Sequence, residues 1–119
     1  MSATAEATPL SDLEYRQKTH AILAGIEATV DAWLEADEID IDTRRSGGLL
    51  ELVFPNRTHI VLNTQPPLQE LWMAAKSGGF HYRHVEGRWV DREGREFFAA
   101  LSECASEQAG RPLKFSPAS

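Results

Sequence analysis

Tyr15, Thr19, Ile22, Leu23, Ile26, Val30 and Trp33 recur at steps of three and four residues, which lines them along one side of an α-helix. Ser11 or Asp12 is a suitable N-cap, and the pattern predicts a helix that runs to about Leu34. The period then falls to two in Ile39-Asp40-Ile41-Asp42, which predicts a strand, and Ser46-Gly47-Gly48 offers a turn into Leu49 to Phe54. Further short runs of strand formers span His59 to Thr64, Leu71 to Ala75, Phe80 to Val85 and Arg88 to Val90. They are divided by Pro55-Asn56, Pro66-Pro67, Gly78-Gly79 and Glu86-Gly87, each read as a turn. From Glu96 to Gln108 the helical period returns, with Phe97, Leu101, Cys104 and Ala105 on one side and Gly110 just past the end.

Spacers this short suit antiparallel neighbours, because parallel strands need crossovers of about a dozen residues or more. The order helix, strands, helix therefore predicts an α+β fold: a two-layer sandwich, both helices on one face of an antiparallel sheet of five to six strands. Residues 1–10 are expected to form a flexible leader, 11–115 a single domain, and 116–119 a tail.

Composition narrows the class. The 119 residues are 42% hydrophobic and 25% charged, which fits one globular core. No apolar run approaches the roughly 18–20 residues of a membrane helix, and Met1 to Pro9 lacks the basic and apolar regions of a signal peptide. The single cysteine, Cys104, excludes an internal disulfide and any cysteine-rich metal site, and a cytoplasmic setting is expected. Charge is unevenly placed. Residues 1–42 carry a net −8 and the remainder +2, which together give the −6 of the whole chain. Such a front end repels nucleic acid and suits cations or a basic protein surface.

Glu27, Asp31 and Glu35 form an i, i+4, i+8 row on the first helix, away from Ile22, Ile26 and Val30, with His20 in line with it. Asp37 and Glu38 follow at the helix end, and Asp40 and Asp42 project opposite Ile39 and Ile41. The seven carboxylates are expected to make one ridge. A charged helix face is by default only a solvated face. Here, however, like charges at i, i+4 repel, and acids near a helix C-terminus oppose its dipole by about 0.3–1 kcal/mol each. A bound cation or a basic partner relieves both costs. Carboxylates are hard ligands for Ca²⁺, Mg²⁺, Mn²⁺ and iron, so an open ridge predicts weak, exchangeable binding of such ions.

Other candidates carry less. Cys104, at helical spacing with Phe97 and Leu101, reads as a buried thiol. His59, His81 and His84 lack metal-ligand spacing, and His81 and His84 fall on opposite strand faces. No GxSxG, Walker or GxGxxG motif is present and no catalytic constellation emerges, so a non-enzymatic protein is expected.

The segment from Asn63 to Tyr82, Asn-Thr-Gln-Pro-Pro-Leu-Gln-Glu-Leu-Trp-Met-Ala-Ala-Lys-Ser-Gly-Gly-Phe-His-Tyr, closely resembles the frataxin signature. The likeness extends from Asp12 to Phe115 and is nearest the bacterial branch of the family. It implies a helix-sheet-helix sandwich with iron, Fe²⁺ or Fe³⁺, held weakly on the acidic ridge, other divalent cations being alternatives. By position the implied metal residues are Glu27, Asp31, Glu35, Asp37, Glu38, Asp40 and Asp42. Asn63, Gln65 and Trp72 match the exposed sheet surface that the family uses for partners, whereas Trp89 is expected in the core. The resemblance implies a role in iron-sulfur cluster assembly, with a cysteine desulfurase and the cluster scaffold as partners and no nucleic acid or membrane. An iron-responsive regulator is the leading reading. Direct iron donation and ferroxidase-like oxidation and storage are the alternatives, and a monomer is expected that iron could drive into oligomers. Ala28 and Ala32 depart from the family, which often has paired acids in the helix, and Arg16 stands where some bacterial members have a metal-binding histidine.

Overall fold

A 24-residue helix, α1 (Asp12–Glu35), opens the structure, a computed structural model describing residues 6–117. Residues 1–5 of the expected leader and 118–119 of the expected tail lie outside the described residues. Ser11 caps α1: its side chain accepts from the Glu14 N–H, and Glu14 returns a bond to the Ser11 N–H at 3.0 Å. This reciprocal pair satisfies two N–H groups that a helix start leaves open. Tyr15, Thr19, Leu23, Ile26 and Val30 are buried, the stripe expected from the spacing.

Six strands follow: β1 (Asp42–Ser46), β2 (Leu49–Val53), β3 (His59–Gln65), β4 (Glu70–Ala75), β5 (Gly78–Val85) and β6 (Arg88–Val90). They form one antiparallel sheet in chain order, the expected meander. The final helix α2 (Phe97–Ala109) is capped by the Glu96 carboxylate, which accepts from the Phe98 and Ala99 N–H groups, and ends at Gly110 in the left-handed region. Both helices pack on the sheet, as the pattern predicts, over a core that includes Leu50, Leu52, Ile60, Leu62, Leu71, Met73, Tyr82, Phe97 and Leu101.

Two local expectations change. The alternation in Ile39 to Asp42 predicts a strand, but β1 begins only at Asp42. Asp42 stands opposite Val53, so Ile41 and Asp40 would need partners at Phe54 and Pro55. The Phe54 N–H is spent on the Thr58 carbonyl at 2.9 Å, and proline has no N–H to give. The alternation instead reports burial: Ile41 is buried and Asp40 exposed in extended chain ahead of the ladder. Gly78-Gly79, read as a turn, lies within β5. The turn is Lys76-Ser77, since Ala75 pairs directly with Gly78.

Tyr15 joins the layers. Its hydroxyl donates to the Glu70 carbonyl at 2.5 Å and accepts from the Gln65 N–H at 3.0 Å, and burial raises its pKa. At the chain ends, Thr8 is bonded to His84 and Glu86, and Leu10 exchanges two bonds with the Gln69 amide. After α2, Leu113 and Phe115 turn back into the core, held by Ser106 and Ser102, whose hydroxyls bond both backbone groups of their partners.

Candidate functional site

The C-terminal end of α1 determines how the acidic residues are presented. Ala36 ends the helix, the Asp37 N–H bonds the Leu34 carbonyl, and the Glu38 N–H bonds the Trp33 carbonyl. This is a Schellman closure, whose left-handed position is usually taken by glycine. Here Asp37 occupies it, at φ 55°. A carboxylate thus stands where glycine would be less strained. No basic residue lies in the last turn of α1. The Arg111 guanidinium donates to the Glu38 backbone carbonyl, and Phe115 meets Trp33 edge-on at 4.9 Å, so the tail after α2 fixes this end of the helix.

Asp31, Glu35, Asp37, Glu38, Asp40 and Asp42 are all exposed, and none of their carboxylates is in an ion pair among the described residues. Glu27 differs. Its carboxylate receives Arg45 at 2.5 Å, and a second nitrogen of the same guanidinium lies 3.1 Å from His20 Nδ1. Arg45 faces α1 because β1 alternates: Thr43 and Arg45 share the helix side with Leu50 and Leu52, while Asp42 and Arg44 share the outer side with Val53 and Glu51. The row therefore crosses from the helix, through the loop, to the outer edge of the sheet. Among the described residues no three histidine, cysteine, aspartate or glutamate side chains converge as a ready-made metal cage.

The outer sheet face is the second surface. Leu49, Asn63, Trp72 and His81 stand opposite one another on β2, β3, β4 and β5, a single row across four strands. Trp72 lies flat on His81, with ring centroids 4.0 Å apart and planes 7° from parallel, and its indole N–H donates to Glu70 at 2.8 Å. Gln65, Glu70 and Arg83 form the adjacent row. Asn63, Gln65 and Trp72 are thus half-buried neighbours on the face away from the helices. Trp89 is buried against Tyr15 and His84.

Two participants escaped the sequence reading. His81 lacks metal-ligand spacing in the sequence, but its position nine residues after Trp72 across a two-residue hairpin places the two rings opposite each other. Arg45 carried no local signal. Its role depends on a helix 18 residues earlier in the chain.

The model of the frataxin-like domain matches residues 8–111. The chain belongs to the frataxin-like family. It is 52% identical over 109 residues to the iron-sulfur cluster assembly protein CyaY of Paraburkholderia phymatum, covering 91% of this chain and all of that one. The CyaY of Burkholderia mallei is 51% identical over 108 residues, covering 90% of this chain and 99% of its own. Among solved structures, the frataxin of Psychromonas ingrahamii superposes with a TM-score of 0.78 at 32% identity, over 90% of this chain and 99% of that one. Trimeric yeast frataxin, solved in complex with ferrous iron, shares the fold with a TM-score of 0.67 at 22% identity, over 87% of this chain and 90% of that one. The helix-sheet-helix sandwich described above is the frataxin fold, and the resemblance read in the Asn63 to Tyr82 segment is shown by these matches.

Proposed function

We propose that this frataxin-like protein serves iron-sulfur cluster assembly, holding iron loosely on Asp31, Glu35, Asp37, Glu38, Asp40 and Asp42 and contacting a cysteine desulfurase and the cluster scaffold. The observation that carries the reading is the run of exposed, unpaired carboxylates at a helix end with no basic residue in its last turn. Their mutual repulsion and their opposition to the helix dipole are both relieved by a cation or a basic protein surface. Exposed oxygen ligands exchange hard cations readily, which suits an ion handled as cargo. The name that the Paraburkholderia phymatum and Burkholderia mallei relatives share points to the same process.

Partner contact uses two connected surfaces. The acidic row reaches the outer sheet face at Asp42, and across that face Asn63, Gln65, Trp72 and His81 present amides and stacked rings, chemistry that suits a protein interface. The protein acts as an iron-responsive regulator and performs no covalent step of its own.

The test is cluster assembly with purified desulfurase and scaffold, with and without this protein, across Fe²⁺ and salt concentrations. The expected result is a change in rate that grows with Fe²⁺ and fades with ionic strength. An unchanged rate at every iron level, with active partners, refutes the reading. The triple variant Asp31→Asn/Asp37→Asn/Asp40→Asn is expected to lose the iron-dependent part.

A further inference from the structure

All three guanidinium nitrogens of Arg45 are engaged. Nε donates to the Gly47 carbonyl at 3.0 Å, one terminal nitrogen to Glu27 Oε1 at 2.5 Å, and the other lies 3.1 Å from His20 Nδ1. A guanidinium has no lone pair to offer, so His20 Nδ1 is the acceptor. Arg45 and Glu27 are 22% and 31% exposed, so salt screens their pair less than it would a fully solvated one.

Resting on the reading of the acidic ridge as a cation surface, we propose that Arg45 keeps His20 and Glu27 out of metal coordination and so makes the ridge an oxygen-only surface. His20 is the imidazole in line with the ridge. With its Nδ1 lone pair and the Glu27 carboxylate both turned to one guanidinium, Arg45 is a tethered cation in the place where an ion bridging imidazole and carboxylate would sit. Imidazole suits Zn²⁺, Cu²⁺ and Ni²⁺ as well as iron, whereas carboxylates alone suit harder ions such as Mg²⁺, Ca²⁺ and Mn²⁺. Removing imidazole from the ligand set therefore biases the ridge against the stronger-binding late transition metals. Arg45 is a specificity residue that acts by occupying ligands, and it touches no cargo ion. Geometry favours this over a merely structural tie: an ion pair to Glu27 alone would leave the imidazole free.

Titration of the full chain with Zn²⁺ and with Mn²⁺, followed by the ring ¹⁵N resonances of His20 and by calorimetry, tests the inference. At the Zn²⁺ concentration that saturates Arg45→Gln, the His20 resonances of the wild type are expected to stay in place, while those of the variant move. Zn²⁺ affinity is expected to rise about tenfold in Arg45→Gln and Mn²⁺ affinity by less than about threefold, and a further His20→Ala change returns Zn²⁺ affinity to that of the wild type. Movement of the wild-type His20 resonances by Zn²⁺, or unchanged Zn²⁺ affinity in Arg45→Gln, overturns it. Should Arg45→Gln loosen the β1–β2 hairpin, Arg45→Lys, which keeps the charge but loses the fork, takes its place, and the wild-type His20 readout decides alone if both variants fail. The ridge reading fails by a different result: Mn²⁺ that does not bind the wild type, or that binds the Asp31→Asn/Asp37→Asn/Asp40→Asn variant equally well.

Discussion

Trp72 and His81 stand directly opposite each other on β4 and β5, and their rings stack at 4.0 Å on the sheet face that no helix covers. Stacked pairs of this kind contribute about 0.5–1.5 kcal/mol beyond their buried area. A double-mutant cycle of Trp72→Ala and His81→Ala, read by urea unfolding, is expected to give a coupling energy in that range. If the face docks a partner, Trp72→Ala also weakens binding of this protein to the proposed desulfurase and scaffold by about 2 kcal/mol or more, as central aromatic anchors do. Equal binding by wild type and Trp72→Ala removes this face from the interface.

Tyr82 is fully buried, and its hydroxyl has no hydrogen-bond partner among the described residues. An unpaired buried hydroxyl costs about 1–3 kcal/mol, so Tyr82→Phe is expected to raise the unfolding midpoint. Burial, with Asp91 nearby, also pushes the phenol's pKa well above its ordinary 10.0. The unfolded chain then sheds this proton as pH passes about 10 while the folded chain retains it. Stability falls with pH wherever the unfolded state binds fewer protons. The alkaline loss of stability is therefore expected to be smaller in Tyr82→Phe than in the wild type, measured by thermal unfolding between pH 8 and 11.

Asp37 occupies the left-handed closure of α1 at φ 55°. Asp37→Gly removes both the conformational cost and a charge that opposes the helix dipole, and is expected to stabilise the fold by about 0.5–1.5 kcal/mol. The same change is expected to weaken Mn²⁺ binding. A loss of stability in Asp37→Gly would mean that the carboxylate has a structural partner.

Phe115 is buried against Trp33, and Ser102 bonds both its N–H and its carbonyl. Phe115→Ala is expected to cost about 3–5 kcal/mol, as large buried aromatics do. Cutting the chain after Gly110 also removes Arg111 and its bond to Glu38, so the cost should be at least as large. Chemical denaturation of both variants measures it.

The core was legible because its signal is local. Tyr15 to Trp33 and Phe97 to Ala105 announce their buried sides by period, and the two-residue turns announce the meander. The proposed partner row became readable at Asn63 and Trp72 through family likeness, but His81 needed the register, since only pairing across the Lys76-Ser77 turn sets it on Trp72. Ile39 to Asp42 misled because burial and pairing usually share a period of two, and here Pro55 separates them. Arg45 was illegible. Nothing near it in the chain distinguishes it from Arg44, and only the pleat of β1 turns one toward the helix and the other away.

The sheet keeps its strands in chain order, so every ladder closes over a loop of a few residues and loses little entropy in doing so. The first helix is different. Tyr15 meets Trp89, 74 residues later, and Thr8 is bonded to His84 and Glu86. During synthesis α1 emerges before the sheet, yet its N-terminal part gains these contacts only when β5 and β6 have been made. Until then the nascent chain carries an unpacked apolar stripe beside eight of its negative charges in excess, and their repulsion helps to keep that stripe from associating with other chains.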